Sequence, residues 1–180
     1  MSLVLDIPVL ETERLRLVSP VEIDLEVYTD FFASQTSRTV GGPLHPVDVW
    51  GDKAKLIGHW VMRGYGFWAV KDRQDDTFLG VVGLYFPLGW PEAEIGWTLM
   101  PSARGKGYAT EAARAARRYA YEALGWTTAV SLIVPENTAS RAVAGRLGAQ
   151  LETHYAHPTI GRMELWRHIS PAELAQGTAP

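Results

Sequence analysis

Cysteine is absent from the chain. That excludes a disulfide scaffold, a cysteine-ligated zinc site, an iron–sulfur cluster and a cysteine nucleophile. It suits a reducing compartment, and a cytoplasmic location is expected. No stretch approaches the roughly 18 apolar residues of a membrane span, so no membrane partner is expected. Residues 1–6 carry neither a positive region nor a long apolar run and do not read as a signal peptide. There is no large excess of one charge either. Lys and Arg number 17 against 20 Asp and Glu, a net −3 that gives no electrostatic reason to expect nucleic acid. His45, His59, His154, His157 and His168 lack metal-ligand spacing, so no metal is expected. Repeats, linkers and low-complexity segments are missing. What remains is a globular balance, 47% hydrophobic and 21% charged over 180 residues. A chain of this length buries roughly 70% of its unfolded surface. We read 1–180 as one domain, with a core at about 10–168 and a tail at 169–180 whose end looks frayed.

The periodicity then changes along the chain. Residues 14–18 alternate polar and apolar, as a half-buried strand does. Ser19 and Pro20 offer a cap and a first-turn proline, which predicts a helix over 21–32. Residues 38–46 hold Gly41, Gly42, Pro43 and Pro46 and read as a loop. Trp50, Ala54, Ile57 and Val61 recur at steps of four, three and four, a helix stripe that Gly64 ends. Short aromatic and β-branched runs at 67–71, 78–86 and 93–100 predict two successive antiparallel hairpins, the first turning at Asp75 and Asp76. Residues 108–124 form a helix with alanines on one face, able to approach a sheet closely. A buried strand at 128–134, a helix capped by Asn137 or Thr138, and a strand pair at 150–155 and 162–167 complete an α/β chain with a mixed sheet.

The segment from Met100 to Glu111 carries chemistry: a strand ends, a Gly-rich loop follows and a helix begins. The N–H groups of residues 104–109 lack helical acceptors, and the helix dipole adds partial positive charge there. Such a site suits a phosphate or pyrophosphate, with Arg104 and Lys106 adding full charges. The spacing fits neither a nucleotide P-loop nor Gly-x-Gly-x-x-Gly. A plain Gly-containing turn is the bland alternative.

Arg104-x-x-Gly107-x-Ala109 resembles the Gln/Arg-x-x-Gly-x-Gly/Ala signature of the GCN5-related N-acetyltransferase (GNAT) superfamily. Its setting strengthens the resemblance. Glu94-Ile95-Gly96-Trp97 lies on the strand before it, Asn137-x-x-Ser140 after the next strand, and Arg146-Leu147-Gly148-Ala149 ends the following helix. The opening Glu11-Thr12-Glu13-Arg14-Leu15-Arg16-Leu17 looks like the branch containing the ribosomal-protein N-terminal acetyltransferases.

The resemblance implies a mixed, mostly antiparallel central sheet flanked by helices, with a V-shaped splay between two central strands near a bulge at residues 98–100. It implies acetyl transfer from acetyl-CoA to a primary amine by direct attack. The acceptor would be a small molecule or a protein N-terminus, and the enzyme a monomer or homodimer. Cofactor contacts are expected from Leu99, Met100, Arg104, Gly105, Lys106, Gly107, Tyr108, Ala109, Asn137 and Ser140. A catalytically degenerate CoA-binding sensor or interaction module is the alternative, because the position of the family's usual tyrosine acid holds Ala144.

An amine attacks only when neutral, so a proton acceptor is needed. Glu94 is the candidate base, or instead an exposed strand carboxylate or a structural partner of an arginine; Glu92, nearer the turn, is the runner-up. Ser140 is the candidate acid, or merely a CoA contact. Tyr108 is a weaker alternative, since it opens the signature helix. Acceptor contacts are sought in loops 38–46, 86–91 and 155–161, where Arg38 could pair an acidic group. Tyr85, Phe86, Trp90 and Trp97 could line the pocket.

Overall fold

The computed structural model describes residues 5–177. The expectations for residues 1–4 and the frayed end at 178–180 lie outside the described residues. One eight-stranded sheet runs through the rest. Its strands are β1 (Leu10–Glu11), β2 (Leu15–Val18), β3 (Phe67–Asp72), β4 (Phe78–Tyr85), β5 (Glu94–Leu99), β6 (Val130–Ile133), β7 (Gln150–His157) and β8 (Gly161–Arg167). The spatial order is β1-β2-β3-β4-β5-β6-β8-β7. Every neighbouring pair is antiparallel except β5 and β6. The expected mixed, mostly antiparallel sheet is therefore present.

The helices are α1 (Leu25–Ala33), α2 (Pro46–Arg63), α3 (Tyr108–Glu122), α4 (Thr138–Arg146) and α5 (Pro171–Ala175). Strand alternation sends Leu15, Leu17, Trp68, Val70, Val82, Leu84 and Ile95 to one face, where they pack with α3. Ala112, Ala113, Ala116 and Ala120 are fully buried there, and their small side chains let α3 lie close on β4 and β5. Val18, Ala69, Phe78 and Val81 point the other way, under Tyr28, Phe31 and Phe32 of α1 and Val49 and Leu56 of α2. β4 is covered on both faces, which is why its first seven residues are all buried. Among the described residues no helix is long and apolar enough to cross a membrane.

Several expectations need correction. The helix expected at 21–32 is split: Ser19 caps only a 3-10 turn over Pro20–Glu22, and Asp24 caps α1 through the N–H groups of Glu26 and Val27. The first three residues of the loop expected at 38–46 belong instead to a 3-10 helix, Gln35–Val40. The α2 stripe faces the wrong way. Trp50 is 66% exposed and Val61 48%, whereas Val49, Leu56, His59 and Trp60 are buried. Both stripes satisfy helical spacing. The sheet selects the second, because Trp60 Nε1 donates to Phe67 O while His59 bonds Tyr65 O and accepts from the Phe86 N–H. The sequence reading also missed β1 and α5, the latter started by a capping box between Ser170 and Glu173.

Candidate active site

The site begins where the ladder between β5 and β6 stops. A single register pair, Glu94 with Val130, joins the two strands. Beyond it two side chains replace ladder bonds: Glu94 Oε1 accepts the Leu132 N–H at 3.1 Å, and Ser131 Oγ donates to Ile95 O at 2.6 Å. His168 is buried and its Nε2–H donates to the same Ser131 oxygen at 2.9 Å. Burial first, then the charges of Arg117 and Arg167, push the His168 pKa down to about 3, so its ring is neutral near pH 7.

The expected V-shaped splay is thus present, but its bulge is elsewhere. The β4–β5 register is regular from Gly80/Leu99 to Tyr85/Glu94. The irregularity lies between β3 and β4, at Val70/Lys71. Gly80 sits there at φ 145°, where a Cβ would fall 2.3 Å from Thr98 O. Glycine is needed for both reasons.

Alternation along β5 decides which backbone groups face the opening. Ala93 O and Ile95 O bond to β6, so odd-numbered residues point that way; Met100 N–H bonds back to Leu79 O. The N–H groups of Trp97 and Leu99 therefore face the splay. Met100, expected as a cofactor contact, does not: its N–H is occupied and its side chain is 1% exposed in the core. Leu99 lines the opening, but its carbonyl already accepts from Arg104 Nε at 3.1 Å.

A cavity of about 510 Å³ runs from the splay to the signature loop. Leu99, Arg104, Gly105, Gly107, Tyr108, Ala109, Asn137 and Ser140 all line it. Gly105 and Gly107 adopt φ 75° and 82°, and Gly107 caps α3 without any side-chain bond. No acceptor is found among the described residues for the N–H groups of 105–110. The Arg104 N–H, also expected to be free, instead donates to Pro101 O. Thr110 Oγ1 is buried in the same wall without a partner. Orphaned amides, an unpartnered hydroxyl and a helix N-terminus fit a pyrophosphate.

The charges of the loop are arranged differently from expectation. The Arg104 guanidinium lies over Phe31 as well as bonding Leu99 O. Lys106 is exposed and lies outside the cavity wall; its carbonyl accepts from Arg14 Nη1 at 2.9 Å. Arg14 also pairs with Glu111 at 2.7 Å, and Glu111 accepts from Thr12 Oγ1. The opening segment thereby ties the loop and the first turn of α3 to the sheet edge. Tyr108 OH reaches Asp72 at 3.3 Å, so its hydroxyl is held away from the splay.

A second cavity of about 440 Å³ opens on the α1–α2 side. Thr39, Val40, Trp97, Thr98, Asn137 and Ser140 line both cavities, which meet at the splay. Glu94 forms part of the second wall. It is 8% exposed, and burial pushes its pKa up to about 7 against the hydrogen bonds from Trp90 and Leu132. Trp90 Nε1 donates to Oε2 at 2.5 Å, and each carboxylate oxygen keeps a further lone pair. Glu92 is not a competing base. It is held by Arg167 at 2.5 and 2.6 Å and lines neither cavity.

Ser140 stands at the junction. Its Oγ accepts from Trp97 Nε1 at 3.2 Å, leaving its own proton without a described acceptor. Asn137 Oδ1 caps α4 through the Ser140 N–H, and Nδ2 reaches Thr39 O at 3.4 Å. Asn137 thus fixes the junction rather than presenting a free amide. Of the expected acceptor aromatics, Tyr85, Trp90 and Trp97 line the second cavity; Phe86 lies instead under Arg63.

The acetyltransferase (GNAT) domain model matches residues 14–150. The chain belongs to the GNAT acetyltransferase family. Its fold is similar to a crystal structure of an acetyltransferase from Agrobacterium tumefaciens str. C58, with TM-score 0.84 and 34% identity over 94% of this chain and 99% of that one. A curated N-acetyltransferase of Bacillus subtilis (strain 168), YnaD, is 32% identical over 80 residues, 44% of this chain and 47% of its own length. The match therefore spans about half of that relative. The ribosomal L7/L12 α-N-protein acetyltransferase RimL, in complex with coenzyme A, shares the fold at TM-score 0.73 and 18% identity, over 92% of this chain and 99% of that one.

Within this GNAT site the sequence reading missed Trp97 as the donor to Ser140, Thr110 as the orphan hydroxyl, and the Ser131–His168 pair. Thr110 was legible as a polar residue in the first turn of the signature helix. The others required knowing which strands are neighbours.

Proposed function

We propose that the chain is a cytoplasmic, acetyl-CoA-dependent N-acetyltransferase that moves acetyl to a primary amine by direct attack. The observation that carries this reading is the shared wall, where six residues line both a phosphate-fitting cavity and a second cavity holding a carboxylate. RimL having been solved with coenzyme A supports the donor. Acetyl-CoA supplies an activated acetyl group. The amides of Gly105 and of residues 107–110, with Thr110 Oγ1, hold the pyrophosphate. Glu94, with its pKa near 7, takes the amine proton directly or through a water. The N–H groups of Trp97 and Leu99 donate to the carbonyl oxygen as negative charge develops there. Ser140, oriented by Trp97, relays a proton from solvent water to the departing thiolate, so its own hydroxyl is restored.

Thiol release measured with acetyl-CoA and a panel of amines tests the reading. Amine-dependent release of free CoA, with N-acetylated product, is expected. Binding of acetyl-CoA without any amine-dependent release would instead make the chain a sensor or interaction module.

A further inference from the structure

The acceptor cavity has a chemical polarity of its own. Its charged lining side chains are Arg38, Asp52, Lys55 and Glu94. Asp52 is occupied: Lys55 Nζ pairs with it at 2.8 Å, and Tyr28 OH donates to it at 2.9 Å. Glu94 is held by Trp90 and Leu132 and is about half neutral near pH 7. Arg38 is different. The residue is exposed, and it has no hydrogen bond, ion pair or aromatic partner among the described residues.

Asp52 and Lys55 cancel as a pair and Glu94 is buried, so the accessible unpaired charge of the wall is the cation of Arg38. That disfavours a polycation and favours an acceptor carrying one negative group. Arg38 lines the acceptor cavity and not the cofactor one, while its neighbours Thr39 and Val40 line both. A group bound by Arg38 is thus held beside the junction where the amine must react. Apart from Thr39, Thr98, Ser131, Asn137 and Ser140, the remaining wall is largely apolar and aromatic. Phe67, Tyr85 and Trp90 meet in edge contacts with ring centroids 5.3 and 5.7 Å apart.

We infer that the acceptor is a small amine bearing a single nearby anionic group and an apolar or aromatic body, with Arg38 as the residue that selects the anion. This rests on the acetyl-transfer reading above. Two sources share the chemistry: a free aminocarboxylate, and a peptide N-terminus with an acidic side chain next to it. A guanidinium binds a carboxylate through two parallel hydrogen bonds, which fixes orientation as well as charge.

The test compares matched acceptors by kcat/KM, corrected to the neutral amine: phenylalanine, its amide, phenethylamine, a polyamine, and tripeptides with acidic or neutral second residues. At least one anionic member is expected to exceed its neutral counterpart tenfold or more. The free acid or the acidic tripeptide leading the panel identifies the source. Arg38→Ala is expected to lower kcat/KM for the favoured acceptor at least tenfold and narrow the preference to less than threefold, with Arg38→Lys restoring part of it. A second readout needs no turnover: the N-acetylated anionic product should bind the wild-type protein more tightly than its amide, and Arg38→Ala should erase that difference. A polyamine or neutral amine leading the panel overturns the inference alone, as does Arg38→Ala weakening acid and amide equally or raising the KM for acetyl-CoA. Absence of turnover with every amine, despite acetyl-CoA binding, overturns the acetyl-transfer reading and this inference with it.

Discussion

The two cavities that meet at the β5–β6 opening are built in opposite ways. The proposed cofactor side relies on backbone: Gly105 and residues 107–110 supply amides from one loop and one helix start, with glycines at positive φ. The proposed acceptor side relies on side chains brought from α1, the 3-10 turn after it, α2, β3, β4, β5, β6, α4 and β8. A backbone cradle tolerates almost any side chain that does not fill it. A side-chain pocket is redefined by each substitution. Donor recognition and acceptor choice should therefore be separable by mutation in this protein.

The largest expected effect lies on the acceptor side. Glu94→Gln should lower kcat about 100-fold, the scale of a lost general base. As the proposed base, Glu94 would act deprotonated, so wild-type kcat/KM should rise with pH through about 7. The variant should lose that limb and keep the one set by ionisation of the amine itself. A pH profile of both proteins checks this; an unchanged limb would make Glu94 structural, a bridge to Leu132 and no more.

Next comes the cofactor side. Gly107→Val should weaken acetyl-CoA binding about fifty-fold, near the loss of one or two charge-assisted hydrogen bonds. The added Cβ meets only Arg14 Nη2, at 3.4 Å, so space is available and the cost to folding is the positive φ, about 1–2 kcal/mol. Calorimetry with acetyl-CoA and a thermal melt separate the two.

The smallest effect contrasts the two buried titrating groups that flank the splay. His168 has its pKa lowered to about 3, so the unfolded chain binds a proton there first and stability falls as pH drops from about 6.5 to 3. Glu94 has its pKa raised to about 7, so the folded chain binds a proton first and stability falls as pH rises from about 4.5 to 7. Between about 4.5 and 6.5 the two slopes offset. Below about 4.5 only His168 acts, and their joint contribution should fall by about 2 kcal/mol by pH 3. Denaturant titrations of the wild type and a His168→Gln variant, as a function of pH, should show that difference in slope.

The same contrast explains what was legible in the sequence. The signature loop, its glycines and its helix are contiguous, so the loop is recognisable from the amino-acid order, although the Arg104 N–H and Lys106 turn out not to face the cavity; Glu94 and Ser140 were singled out by the family resemblance. The expected sheet, hairpins and splay followed from alternating strands and the family resemblance. What failed required tertiary information. The outward stripe on α2 has the same spacing as the buried one, and only the hydrogen bonds of His59 and Trp60 to the sheet distinguish them. Met100 follows Leu99 directly, yet strand alternation turns its N–H toward β4. Glu92 and Glu94 are two residues apart, and only the position of Arg167 on β8 shows that Glu92 is a structural partner.

The most direct measurement is a crossed comparison of Gly107→Val and Glu94→Gln. Acetyl-CoA affinity is measured by calorimetry, and the single-turnover acetylation rate is measured at saturating acetyl-CoA with the best amine of the panel. Gly107→Val should lose affinity and recover most of its rate at saturation. Glu94→Gln should bind acetyl-CoA within about twofold of wild type and acetylate about 100-fold more slowly. If both variants lose the same quantity, whether affinity or rate, the division between a backbone-built donor site and a side-chain-built acceptor site is contradicted.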